Sequence, residues 1–388
     1  MDENKLFWLW LTLKIKYNKT IEALLEYFGT VENIYKSEEY KGISDRRTVE
    51  LLKDKSLDEA KEVYNSTIKA GAFIITYDST DYPEILKNIY DPPYVLYAKG
   101  NMFDWNSFIG IGIVGTRAKT CDDYGRAATS YFARELSKNG FMVISGLADG
   151  LDAVAARTAL KMGKPTIGVL GCGIDIVYPI TNEELYKEVE REGLILSEYP
   201  PGFSPTRWSF PQRNRIISGL SKGVIITQAP QGSGALITAR LAYENGRDVF
   251  AVPADIFNKN SKGSNHLIED GAIPAFGIYS ILREYPEYAE KNPEIVRHYR
   301  SVERNQSVQK NIIKPQKNQP VKKEETVDLS GLSDVQRKIY SCVQNGNDHI
   351  DLIVRETGMA PGKINNELLM LELQGIIKGY PGNKYGIN

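Results

Sequence analysis

The chain has 388 residues, 42% of them apolar and 25% charged, with 48 basic against 49 acidic residues and a formal net charge of −1. Those values exclude a disordered chain and a uniformly basic nucleic-acid binder, so any DNA-binding surface has to be a local patch. The length predicts two or three domains rather than one core. No apolar stretch approaches the roughly 18 residues of a membrane span. The apolar start, Met1 to Leu13, lacks a small-residue cleavage site and reads as a helix, so a cytoplasmic location is expected. Cys121, Cys172 and Cys342, like His266, His298 and His349, are scattered. Neither a disulfide framework nor a metal or cofactor site is expected from them.

Residues 1–72 read as helical. Ile21, Leu24, Leu25 and Phe28 recur at helical spacing before Gly29, and further helices are predicted over 44–53 and 57–70. The pattern then turns strand-like at Phe73 to Tyr77 and again at Tyr94 to Ala98, after Pro92-Pro93. From Phe108 to Phe276 apolar runs alternate with helical patterns. The runs are 109–114, 141–144, 166–170, 194–196, 224–227 and 248–252, with helices expected over 127–139, 153–162 and 235–245. Near-continuous apolar strands between amphipathic helices predict a parallel sheet covered on both faces. Residues 284–326 are rich in Lys, Glu, Asn, Gln and Pro and read as a linker, with five lysines and no acid between Asn305 and Lys323. Order returns in 327–388 as helices near 333–343, 350–357 and 361–374, then two short strands around Pro381-Gly382-Asn383. Helix, helix, helix, hairpin is a winged-helix pattern.

Four segments carry candidate chemistry. Gly110, Gly112 and Gly115 satisfy G-x-G-x-x-G formally, but their register is that of the strand itself, not of the loop after it. What remains is Gly115-Thr116-Arg117 at a strand end, where backbone N–H groups, a hydroxyl and a guanidinium suit a phosphate; a tight turn with a surface arginine is the alternative. Ser145-Gly146-Leu147-Ala148-Asp149-Gly150-Leu151-Asp152 joins another strand to a helix, with Asp152 expected as its N-cap. The third is Phe210 to Arg215 with Ser218 to Lys222. Between Glu198 and Glu244 no acid occurs, while Arg207, Arg213, Arg215, Lys222 and Arg240 are basic, and Phe203, Trp208 and Phe210 interleave with them. The fourth, Gln231-Gly232-Ser233-Gly234, is a small-residue loop before a helix, able to turn N–H groups to an anion; without a following Lys-Ser or Lys-Thr it is not a P-loop. No catalytic constellation emerges.

The ordered set Val114-Gly115-Thr116-Arg117, Ser145 to Ala148, Gly150-Leu151-Asp152, Gly171 to Asp175, Ser197 to Gly202, Phe210 to Ser221, Ser233 to Ala239 and Gly246 to Pro253 resembles the DNA-processing protein A (DprA, also called Smf) family. The resemblance implies a Rossmann-like α/β domain over 73–283, with its core at 108–276. It also implies a sterile-alpha-motif-like helical domain before it and a winged helix after the linker. It implies single-stranded DNA binding, dimerisation through the Rossmann-like domain, and loading of the recombinase RecA in natural transformation; the residues themselves, without a catalytic constellation, predict a binder and not an enzyme. The DNA site carried over is Gly115, Thr116, Arg117, Ser145, Gly146, Arg213, Arg215, Ser233 and Gly234, to which the basic window adds Lys222. Asp149 stands where such proteins usually carry arginine, Ala156 where His is usual, Gln228 where Glu is usual, and Ala254 where Gly is usual. The rival expectation is a nucleotide-binding or phosphoribohydrolase-like enzyme. Against it, Ala235-Leu236-Ile237-Thr238 follow the Gly-rich loop where such enzymes place glutamates. A third expectation makes the winged helix a duplex reader, but Lys363 is the one base in its candidate recognition helix, beside Glu367 and Glu372.

Overall fold

Helix α1 (Glu3–Lys14) is apolar on every side, and its residues Leu6 to Leu11 are all buried. Helices α3 (Val31–Lys36), α4 (Arg46–Lys53) and α5 (Asp58–Lys69) pack on it, and α2 (Asn18–Phe28) packs on α3 before ending at Gly29, whose φ is 80°. Trp8 and Trp10 anchor this core without orphaning their indole N–H groups. Trp8 donates to Asp78 Oδ1 and Trp10 to the Asp54 carbonyl, each at 2.8 Å. Trp8 also stacks on Tyr94 with ring centroids 5.8 Å apart. The helices therefore share one core with strand residues Ile74, Val95 and Tyr97, inside the compact unit Met1–Arg304.

The computed structural model describes residues 2–40, 43, 45–286, 332–345, 349–359, 361–380 and 384–387. All six apolar runs expected between 109 and 252 are strands: β3 (Gly110–Val114), β4 (Met142–Ser145), β5 (Thr166–Leu170), β6 (Leu194–Ser197), β7 (Gly223–Ile226) and β8 (Asp248–Ala251). They lie parallel, with β9 (Ile273–Pro274) beyond β8, while β1 (Phe73–Thr76) and β2 (Val95–Gly100) add an antiparallel edge against β6. The order across the sheet is β1-β2-β6-β5-β4-β3-β7-β8-β9. The chain thus moves outward from β3 to β6 and then returns to lay β7 on the other side of β3. Such a reversal opens a crevice beyond the carboxyl ends of the two strands, where open α/β sheets bind ligands.

One face of the sheet packs on α7 (Asp123–Lys138), α8 (Leu151–Lys161) and, towards β6, α9 (Glu183–Glu192). The other packs on α10 (Ser209–Leu220) and α11 (Gly234–Glu244), with the short α6 (Glu84–Lys87) against α10. Strand β3 shows how sequence sets this spacing. Ile111 and Ile113 point into the α7–α8 core, and the alternating glycines face α10. A Cβ on Gly110 would lie 2.9 Å from the Leu220 carbonyl oxygen, and one on Gly112 3.0 Å from Ser221 Oγ. The formal G-x-G-x-x-G is thus a close-packing device, its first two glycines serving α10 and Gly115 serving Leu151 of α8, consistent with its discounted register. Residues 209–220, read from the sequence only as a basic motif, form α10 itself.

The second compact unit, Asn305–Asn388, contains helices Asp334–Gln344, Ile350–Thr357 and Pro361–Leu373 and the antiparallel strands Ile377–Tyr380 and Lys384–Ile387. Ser333 and Gln336 form a reciprocal capping box on the first helix. Ile339, Ile353, Ile364, Leu368 and Leu371 make its core. The expected lysine-rich linker segment and the Pro381-Gly382-Asn383 turn lie outside the described residues.

Candidate nucleic-acid interface

Four segments meet at the carboxyl ends of β3 and β7: the loops after β3, β4 and β7, and the first turns of α10. They enclose a crevice of about 380 Å³ lined by Gly115, Thr116 and Arg117, by Arg207, Phe210 and Arg213, and by Ser233 and Gly234. Two helix N-termini contribute to its wall. Ser233 caps α11, its Oγ accepting the Ala235 N–H at 3.3 Å, and neither α10 nor α11 has an acid in its first turn. Their partial positive ends favour an anion, as do the free N–H groups of a first turn.

The bases at this crevice do two different jobs. Arg117 and Arg207 are exposed and pair with no carboxylate among the described residues, and the Arg117 guanidinium lies over the Phe210 ring, 5.4 Å from its centroid. Arg213 is only 5% exposed. Its Nη1 donates to the Gly146 carbonyl at 2.6 Å and to that of Val169, tying α10 to the ends of β4 and β5. Beside it Asp152 is buried in α8, not at the helix cap as expected, since Gly150 holds that place. Asp152 accepts the N–H of Gly146 at 3.1 Å and also those of Gly115 and Ala148. Burial pushes its carboxyl up, against the pull of Arg213 and these amides. Asp152 is the one carboxylate among the described lining residues, and its oxygens are already engaged by three backbone amides.

Two neighbouring networks hold the loops. Leu147 has a φ of 51°, a left-handed conformation costing a branched residue about 1–3 kcal/mol, and the Asn182 amide, donating to its carbonyl at 3.0 Å, helps to hold it there. Asp122 caps α7 through the Gly125 N–H at 2.9 Å and accepts from Gln228 at 2.8 Å and Asn258 at 3.0 Å. Burial pushes the Asp122 carboxyl up, but these donors and Asn260 outweigh it and hold it at about 2. The amide at position 228 matters here. Gln228 donates to both Asp122 and Ser261, which an ionised glutamate could not do.

Of the ten expected site residues, the structure gathers Gly115, Thr116, Arg117, Arg213, Ser233 and Gly234 around the crevice and puts four elsewhere. Ser145 is fully buried at the end of β4. Gly146 is wedged between two side chains, a Cβ there coming within 2.5 Å of both Arg213 Nη1 and Asp152 Oδ2. Arg215 faces away: its Nε lies 2.9 Å from Asp91 Oδ2 and its Nη2 2.5 Å from Glu198 Oε1. At 3.6 residues per turn, Arg213 and Arg215 stand about 200° apart on α10 and cannot serve one site. Lys222 precedes β7, its N–H bonded to the Gly110 carbonyl at the amino end of the sheet, opposite the crevice. Sequence reasoning left Arg207 and Phe210 out of the site, although both lie in the acid-free window. Asp149 is exposed beside Ala148, which lines the crevice.

An open, doubly wound α/β sheet with a crevice at its switch point, walled by arginines and two acid-free helix starts, defines the class. Residues 73–286 match the family model of DNA recombination-mediator protein A, and residues 323–383 match that of the DprA winged helix domain. Protein Smf of Synechocystis sp. is 33% identical over 402 residues, covering 99% of both chains. The X-ray structure of DNA processing protein A from Streptococcus pneumoniae superposes with a TM-score of 0.62 at 34% identity, covering 71% of this chain and 95% of that one. That of Helicobacter pylori, described for its single-stranded DNA binding mode, gives 0.50 at 35% identity, covering 55% and 96%. The chain belongs to the DprA/Smf family.

Proposed function

We propose that the crevice holds the backbone of single-stranded DNA and that the protein is a non-enzymatic recombination mediator. It protects incoming strands in the cytoplasm and helps to load RecA in natural transformation. The observation that carries the DNA reading is the pairing of two exposed, carboxylate-free arginines, Arg117 and Arg207, with two acid-free helix N-termini around one crevice. Phosphate contacts alone do not reject a duplex. The preference for single strands comes from the confined crevice, into which a paired duplex does not enter, and whose wall carries the Arg117–Phe210 pair for an unpaired nucleotide to meet. The test is titration with poly-dT and with duplex DNA at increasing salt. The logarithm of the single-strand affinity should fall linearly with log salt, by about 0.7 per phosphate held. Equal affinity for the duplex, or no salt dependence, overturns the reading.

The binder reading, as against a phosphoribohydrolase-like enzyme, rests on Asp152, whose oxygens face amides rather than open space. Release of free base from nucleoside monophosphates would overturn it. Homodimerisation is supported by Ile256, Phe257 and Phe276, 82–85% exposed on the segments that follow β8 and β9. Sedimentation of a Phe257→Glu, Phe276→Glu variant as a monomer is the expected result. RecA loading rests on the family alone and is read by RecA filament growth on strands coated with this protein. The winged helix acts through protein contact. Leu369, Met370 and Leu373 of helix Pro361–Leu373 are 48–75% exposed, a face unsuited to base edges.

A further inference from the structure

Helix α10 and the residues that lead into it form the wall of two cavities. Arg207, Phe210, Pro211 and Asn214 line the crevice. Trp208, Gln212 and Arg215, at i, i+4 and i+7, line a separate cavity of about 760 Å³. The facing wall is the turn between α1 and α2, with Lys16 and Tyr17, and the first turn of α2, with Lys19. The volume is that of a site for a small organic ligand.

One wall is an aromatic platform. Tyr199 and Phe203 stack with centroids 4.3 Å apart and 11° between planes, and Trp208 stands edge-on to both at 6.0 and 5.7 Å. The packing holds the indole in place yet leaves Trp208 58% exposed, and Tyr17 across the cavity is 79% exposed. The charges are layered. Buried Arg215 is outnumbered by its partners Asp91 and Glu198, whereas Lys16 and Lys19 are exposed. An anion is therefore disfavoured within and favoured at the lysines. A neutral aromatic plane joined to a phosphate fits that arrangement.

We propose that this second cavity stacks a nucleobase, with its phosphate at Lys16 and Lys19. The inference rests on the DNA-binding reading in so far as the base belongs to a strand that also fills the crevice. That strand would cross at Arg207 and Trp208, adjacent residues lining one cavity each. A free nucleotide has the same chemistry, and the experiment separates the two sources.

The full chain is titrated with poly-dT oligonucleotides of increasing length and, separately, with dTMP, following tryptophan emission and fluorescence anisotropy. Trp8 and Trp10 are 1% exposed, and half-buried Trp105, packed on Phe108 with its indole N–H on the Asp81 carbonyl, lines neither cavity, so quenching that Trp208→Phe removes reports on Trp208. Tyr17→Ala and Trp208→Ala should each weaken long oligonucleotides roughly ten-fold, the loss expected of one base–aromatic stack, and leave the shortest binders unchanged. Trp208→Phe should restore the affinity. Quenching by dTMP that Tyr17→Ala abolishes, with long-strand affinity unchanged, supports the base site and assigns it to free nucleotides. Loss of equal size at every length, or no loss at any length together with no quenching by dTMP, overturns the proposal. If the wild type binds no DNA, the DNA-binding reading fails and the dTMP titration still decides the cavity.

Discussion

Gly115 at the crevice, and Gly146 and Gly150 behind it on the β4–α8 loop that backs the same lip, have no room for a side chain. A Cβ on Gly115 would lie 2.6 Å from Leu151 Cδ1, and one on Gly150 2.6 Å from the Thr116 carbonyl oxygen. On the other lip, Cβ atoms on Gly232 and Gly234 would meet nothing within 4 Å. Gly232 serves a turn at φ 77°, and Gly234 leaves the start of α11 open to whatever enters. The β3–β4 lip spends its glycines on packing, and the β7 lip keeps its own for approach. The arginines divide the same way, Arg213 bonded to main-chain carbonyls and Arg117 facing solvent. Residue type alone does not separate a scaffold from a contact; what lies within 4 Å does.

The comparison breaks most visibly at Arg213. Arg213→Ala leaves the buried Gly146 and Val169 carbonyls without their donor and removes the positive charge that offsets buried Asp152, and should cost about 3–5 kcal/mol in urea denaturation. An unaltered midpoint would place Arg213 among the contact residues instead. On the solvent side, Arg117→Glu with Arg207→Glu should keep the fold and lower poly-dT affinity by about 100-fold, two charge-assisted contacts being lost. Anisotropy measures the affinity, and circular dichroism the fold.

Asp122→Ala removes a cap and strands buried Gln228, for about 1–2 kcal/mol. The same group gives a pH dependence. Its carboxyl is held at about 2 against an ordinary value of 3.8. The wild-type contribution is therefore full above pH ~4 and is lost as pH falls towards ~2, a slope that Asp122→Ala should flatten. The finest test is a pair of identical changes. Gly146→Ala should lower Tm, whereas Gly234→Ala should hold or raise stability by about 0.4–1 kcal/mol while weakening DNA a few-fold. Equal stability costs would dissolve the distinction between the lips.

Much of the sheet is legible in the chain because a strand buried on both faces has to be apolar along its length, a property of neighbouring residues alone. The runs at 109–114 and 224–227 announce β3 and β7 for that reason, and Gly29 announces the end of α2. The site was less legible. Arg207, Arg213, Arg215 and Lys222 share one acid-free window, and nothing in that window separates them. Helix α10 turns Arg213 and Arg215 to opposite sides, and the direction of β7 carries Lys222 to the far end of the sheet. Asp91 and Glu198, which claim Arg215, stand 124 and 17 residues before it. The sequence by itself determined the layers, the crevice-forming loops and the sign of their charge, since each depends on local pattern. Which arginine is buried and which is free was decided by tertiary structure, because a charge is neutralised by whatever the fold brings within a few ångströms, however far away it lies along the chain.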